Sequence, residues 1–273
     1  MLLRLHEWGD RAAPPLVCLH GVMGHGRRFR RLAEDRLADR FRVLAPDLRG
    51  HGRSGWEPPW DLVTHLGDVL ETLEAAGVGR ASWLGHSFGG RLLLELASLE
   101  PERIERAVLL DPAIHVSPSR GLDQAESERA DKSFATVDEA IESRIETAPL
   151  FSTPRGLLEE EMEEHLVRSP DGRLRYRYSQ AAVVAAWSEM CTEPPRFEQA
   201  RVPTLVVLGE RSDLVTAEQL AAWREALGDL VQVESVPGGH IVLWDAYEET
   251  ADAVAAFLAR RPASSNAAAT SGS

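Results

Sequence analysis

Short apolar runs alternate along this chain with longer stretches in which apolar residues recur three and four positions apart. The runs near Leu16–His20, Arg42–Pro46, Ala81–Gly85, Ala107–Asp111, Thr204–Gly209 and Val231–Val236 have the length and composition of strands. Several are nearly unbroken (Leu-Val-Cys-Leu, Ala-Val-Leu-Leu, Thr-Leu-Val-Val-Leu), as in strands covered on both faces. The helical period appears over Leu62–Ala76, Phe88–Leu99, Ala217–Leu227 and Ala246–Leu258, with Pro101 ending the second of these. Strand and helix in regular alternation predict an α/β fold, a mostly parallel sheet with helices on both faces.

The alternation breaks between Pro112 and Val202. This stretch is rich in Glu and Arg and reads as helix without convincing strands, so a helical cap or lid inserted into the main domain is expected at 112–202. Residues 1–111 and 203–260 then form the core domain. The run Glu159–Leu166, "EEEMEEHL", reads as a solvated helix face, and Pro194-Pro195 marks the return to the core. From residue 261 the chain is low in complexity and a disordered tail is expected.

Composition narrows the possible partners. A chain of 273 residues can bury a large core, and its formal net charge of −13 disfavours nucleic acid and anionic membrane surfaces, which need clustered basic residues. Lys132 is the sole lysine, a bias without a functional reading. Cys18 lies in an apolar run and reads as a buried, reduced thiol, and with Cys191 it makes no disulfide framework. Arg4, Glu7 and Asp10 interrupt the N-terminus too early for a signal peptide, and no apolar run is long enough to cross a bilayer. A cytoplasmic monomer or homodimer acting on a small molecule is expected.

The chemistry concentrates at strand ends. Gly85-His86-Ser87-Phe88-Gly89 places a hydroxyl between glycines where a strand gives way to a helix. A turn that tight leaves no room for neighbouring side chains and presents the serine bare, with the Phe88 N–H aimed at an oxyanion. A serine hydroxyl needs a base, and the base needs a partner that fixes its tautomer. His240, in the Gly-rich loop "VPGGHIVLWD" after the last strand, is the candidate base. Asp213, in "LVVLGERSDLV", is the leading acid, with Asp111, at the end of "AVLLDP", the alternative. A second oxyanion donor would come from the N–H of Val22 in "VCLHGVMGHG", or from Met23 or Gly24 if the loop winds differently. The loop "DLRGHGRS" follows another strand; His51 there reads as structural, with Asp47 and Arg49 pinning the loop.

Together, His20-Gly21, Asp47–Ser54, Gly85–Gly90, Asp213 and His240 resemble the α/β-hydrolase superfamily, and within it the small lid-bearing serine esterases and lactonases. The resemblance runs over nearly the whole chain except the insertion and the tail. It implies an eight-stranded, mainly parallel sheet with a cap after the sixth strand. Family members that hydrolyse haloalkanes or epoxides carry Asp at the nucleophile position, which Ser87 argues against; Phe88 weakens the perhydrolase and carbon–carbon hydrolase readings, which often have Met there. The expected activity is a serine carboxylesterase with Ser87, Asp213 and His240 as catalytic residues and Val22 and Phe88 as oxyanion donors. Lactonase, thioesterase, carbon–carbon bond hydrolase and ligand-binding receptor are the alternatives. Substrate contacts are expected from Met23, Phe151, Trp187, Met190 and Ile241. No metal or organic cofactor is expected, since zinc-type and dinucleotide-binding spacings are absent.

Overall fold

The computed structural model describes residues 1–148 and 150–260. Seven strands form the main sheet: β1 (Leu5–Trp8), β2 (Pro15–Leu19), β3 (Arg42–Pro46), β4 (Ala81–His86), β5 (Ile104–Leu110), and, after the insertion, β9 (Thr204–Gly209) and β10 (Val231–Val236). Their order is β1-β3-β2-β4-β5-β9-β10, and every pairing is parallel except that of β1 with β3 at the edge. The resemblance implied eight strands, and seven are found among the described residues. The edge strand β1 carries the mixed sequence Leu-His-Glu-Trp, half-buried throughout, and so lacks the apolar run that marks the others.

The pleat sorts the strand residues into two cores, because successive side chains point to opposite faces. Val17, Leu19, Leu44, Trp83, Leu109 and Val206 join a cluster with residues of α1 (Leu62–Ala75), α2 (Phe88–Leu99) and α7 (Ala217–Leu227). Their neighbours Leu16, Cys18, Val43, Leu84, Val108, Leu110, Leu205 and Val207 join a second cluster with Val242 and with Ala251, Val254 and Leu258 of α8 (Tyr247–Ala259). Helices therefore cover both faces, as the unbroken apolar runs require. Asp61 caps α1 by accepting from the Thr64 N–H, and Thr216 with Gln219 closes a capping box on α7.

Between β5 and β9 lie α3 (Pro118–Ser127), α4 (Val137–Thr147), α5 (Arg155–His165) and α6 (Gln180–Met190). Contrary to the all-helical expectation, this segment also holds a small antiparallel sheet of β6 (Ser133–Phe134), β7 (Leu166–Arg168) and β8 (Leu174–Tyr176), in the order β6-β8-β7. Strands of two or three residues are too short to leave a readable alternation. A third apolar cluster fills this region, with Phe134, Ile141, Leu158 and Met162, and it takes in Ile241 and Trp244 from the loop and turn after β10. The run Glu159–Leu166 is solvated on one side only: Glu159, Glu160 and Glu163 are exposed, while Glu161, Met162 and His165 are buried. The tail expected to be disordered lies outside the described residues.

Candidate active site

The nucleophile turn is built by contact between backbones. A Cβ on Gly85 would meet the Gly89 carbonyl oxygen at 2.4 Å, and one on Gly89 would meet that of Leu19 at 2.2 Å. Ser87 between them has φ 54° and ψ −117°, a region that side chains avoid. Neighbours hold it there: its N–H donates to the Leu110 carbonyl, and its own carbonyl accepts from the Arg91 and Ala113 N–H groups, each at 3.1 Å. Ser87 is buried, and its Oγ lies 2.9 Å from Nε2 of His240.

The other nitrogen of that imidazole, Nδ1, lies 2.6 Å from Oδ2 of Asp111. A carboxylate accepts only, so the proton sits on Nδ1 and leaves Nε2 free to accept from the serine hydroxyl. Asp111 is 1% exposed, at the end of β5 beside the strand that carries Ser87. It also accepts from the Ser212 hydroxyl at 2.5 Å and the Gly209 N–H at 3.3 Å.

Asp213 does not reach His240, which corrects the leading assignment of the acid. Beyond β9 the chain turns back, with the Ser212 N–H donating to the Gly209 carbonyl, and Asp213 projects outward. Its side chain is 86% exposed and pairs with Arg120 of α3 at 2.8 Å, a contact that lowers its pKa. The β9 loop thus supplies the Ser212 hydroxyl to the acid rather than the acid itself. Sequence order could not separate the candidates, since both aspartates lie between Ser87 and His240. Sheet order does, because β5 is the direct neighbour of β4 and β9 is one strand further away.

His86 is anchored against His240. Its Nε2–H donates to the His240 carbonyl at 3.0 Å, and the two rings lie 4.8 Å apart. Burial, then the neighbouring His240, pushes the pKa of His86 well below the usual histidine value. It therefore stays neutral and puts no like charge beside an imidazole that must accept a proton.

The loop after β2 lies against the nucleophile: a Cβ on Gly21 would meet Cβ of Ser87 at 2.9 Å. His20 fixes its start, accepting from the Leu48 N–H at Nε2 and donating from Nδ1 to the Gly21 carbonyl. Val22 and Met23 follow half-buried, Met23 at φ 59°. Phe88, whose N–H opens α2, is fully buried. Asp47 ties the next loops together by accepting from the Gly26 and Arg53 N–H groups, and Arg49 pairs with Asp68.

Residues of the insertion meet this loop. Arg28 donates to the Met23 carbonyl at 3.0 Å and from Nε to Glu161 of α5 at 2.7 Å, and His25 lies 3.0 Å from the same carboxylate. Burial opposes the charge on Glu161, yet Arg28 and His25 outweigh it and hold its pKa well below the usual range. His25, Glu161 and His165 have ligand atoms within 4.8 Å of one another, a donor set a divalent ion could use. The Arg28 guanidinium already occupies one side of Glu161 and would repel a cation, so the geometry favours an ion-paired clamp.

The expected substrate contacts divide. Ile241 packs into the insertion's cluster one residue from His240. Trp187 packs half-buried against the main core, its Nε1 buried without a partner among the described residues. Met190 is fully buried in the main core and Phe151 is 46% exposed beneath Arg211, so neither has the expected position on a pocket wall. Arg28, Arg144, Glu161, Ser212 and Asp245 were missed. Arg144 and Glu161 lie in an Arg- and Glu-rich helical stretch where no sequence signal sets them apart from solvated neighbours, and Arg28, Ser212 and Asp245 lie outside it in segments without a marking motif.

Known proteins resemble this chain over most of its length. The family described as alpha/beta hydrolase fold matches residues 14–247. The chain is 32% identical over 245 residues to "Lipase LipV" of Mycobacterium tuberculosis, covering 89% of this chain and 93% of that one. It is 27% identical to "Esterase YbfF" of Escherichia coli, covering 75% and 77%. Among solved structures, E-2-(acetamidomethylene)succinate hydrolase superposes with a TM-score of 0.82 at 25% identity, covering 94% of each chain.

Proposed function

Since the chain belongs to the alpha/beta hydrolase family, we propose that it cleaves carboxylic esters through an acyl-enzyme intermediate on Ser87. The observation that carries this reading is the single imidazole of His240 set between a hydroxyl at 2.9 Å and a buried carboxylate at 2.6 Å. Relatives named as a lipase and an esterase support an ester bond as the target.

In this mechanism Ser87 Oγ attacks the ester carbonyl while His240 Nε2 takes its proton. Asp111 holds the imidazole in the required tautomer and stabilises the imidazolium that forms. The N–H groups of Val22 and Phe88 receive the oxyanion, their positions following from the Gly21 loop against Ser87 and the first turn of α2. His240 then returns the proton to the leaving alcohol. A water enters, His240 takes its proton as the hydroxide attacks the acyl carbonyl, and His240 returns that proton to Ser87 Oγ as the acid leaves. Residues 112–202, with the Ile241–Trp244 turn beneath them, form a cap that excludes water and bounds the acyl site.

The test is release of p-nitrophenol from the acetate, butyrate and octanoate esters by wild type and Ser87→Ala. A Ser87-dependent burst is expected, with a fall in kcat of several orders of magnitude in the folded variant. Turnover that survives in Ser87→Ala, or no turnover of any ester by folded wild type, would overturn the reading.

A further inference from the structure

The segment between β5 and β9 carries one inward-facing arginine, Arg144, with no carboxylate in direct contact among the described residues, Glu161 acting on it only from a distance. Arg144 lies on α4, on the face already set by Ala140 and Ile141, both fully buried. Residues three and four apart share a helix face, so Arg144 points inward with them. Its guanidinium stands 5.8 Å from the ring of Trp244, and that of Arg28 approaches the same ring at 5.0 Å. Trp244 lies on the turn that follows His240, and the charges of both arginines are felt at His86, whose ring lies 4.8 Å from that of His240.

The two arginines differ in what they hold. Arg28 is paired, bonded to Glu161 and to the Met23 carbonyl. Arg144 makes no ion pair and donates no side-chain hydrogen bond among the described residues. Burial, then Arg28, pulls its pKa below the usual guanidinium value, and its charge is felt at His86, next to Ser87. A partly desolvated guanidinium is costly to leave unpaired, and most arginines elsewhere in the insertion have acidic partners, as Arg155 has in Asp138, Glu142 and Glu159. The whole chain carries a formal net charge of −13, so acid to neutralise Arg144 was plentiful.

We propose that Arg144 binds a carboxylate carried by the substrate, making the preferred substrate an ester with an anionic group a few atoms from the scissile bond. A guanidinium offers two parallel N–H donors that match a carboxylate, and the face of Trp244 restricts its orientation. This specificity rests on the ester-hydrolase reading above.

The experiment compares esters that differ only by a terminal carboxylate: methyl butyrate with monomethyl succinate, and methyl valerate with monomethyl glutarate. Ethyl acetate with acetoxyacetate places the carboxylate on the leaving side instead. Proton release gives kcat and KM for wild type, Arg144→Gln and Arg144→Lys. Wild type is expected to favour at least one anionic ester over its neutral partner by about ten- to a hundredfold in kcat/KM, the range of a charge-assisted hydrogen bond. That ratio is expected to collapse towards one in Arg144→Gln, mainly through KM, and to persist in part in Arg144→Lys. Because both esters are measured on the same protein, a variant that folds less well does not alter the ratio. A wild-type ratio at or below one for all three pairs, or a ratio that survives in Arg144→Gln, would overturn the proposal. Calorimetric titration of succinate into Ser87→Ala, with and without Arg144→Gln, separates the two readings. Arg144-dependent binding without turnover of any ester by wild type would fault the ester chemistry, and absence of Arg144-dependent binding would fault the anion site.

Discussion

His65 and His165 bury both ring nitrogens without a partner among the described residues, and His51 buries one. Burial pushes His65 down to about 3 and His51 down to about 4. An unfolded histidine titrates near 6.5, so as pH falls below that value the unfolded chain takes up these protons while the folded chain does not. Folding stability is therefore complete above about pH 6.5 and is lost progressively towards pH 4. At pH 5 each of these two groups costs about 2 kcal/mol. A His65→Leu variant, keeping the packing against Phe88 at 5.3 Å, is expected to flatten the fall of stability between pH 7 and 5 by about that amount in urea titrations. An unchanged slope would mean that His65 is protonated in the folded chain. At this scale Ser87 and His240 were legible, because glycine spacing and a Gly-rich loop mark positions where backbones must touch. Asp111 was legible only as an alternative, since the choice between two aspartates depends on which strands lie side by side.

Among elements, the turn after β10 joins the catalytic histidine to the insertion. Asp245 accepts from the N–H groups of Phe151, Ser152 and Gly239 and from the Thr153 hydroxyl, so one carboxylate holds both the cap segment and the residue before His240. Asp245→Ala leaves those donors unpaired and is expected to lower stability by about 1–3 kcal/mol and to raise KM for esters, because cap and histidine loop lose their common anchor. Urea titration and steady-state kinetics check both; wild-type values in each would mean that the segment is held elsewhere. Six of the seven main strands and the helices flanking them were legible, with bounds within a residue or so except that β5 starts three residues earlier than expected, at Ile104; the edge strand β1, without an apolar run, was not. The insertion was legible as a break in alternation and no more. Its strands are very short, and the buried Glu161 looks in sequence like any other glutamate in "EEEMEEHL".

For the molecule as a whole, the proposed catalytic residues Ser87, Asp111 and His240 follow β4, β5 and β10, and the sheet assembles them by bringing the C-terminal ends of its strands together. The segment between β5 and β9 is tied to the core through Arg28 with Glu161 and through Asp245, and it carries the Arg144 for which an anion-binding role is proposed. The central claim is that Asp111, not Asp213, orients His240 for attack by Ser87. Measuring kcat for Asp111→Asn and Asp213→Asn on one p-nitrophenyl ester tests it most directly. A fall of about 10⁴ is expected for Asp111→Asn, as the amide would support the wrong tautomer. Asp213→Asn is expected to stay within about threefold of wild type, because only an exposed ion pair is lost. The reverse order of effects would contradict the account.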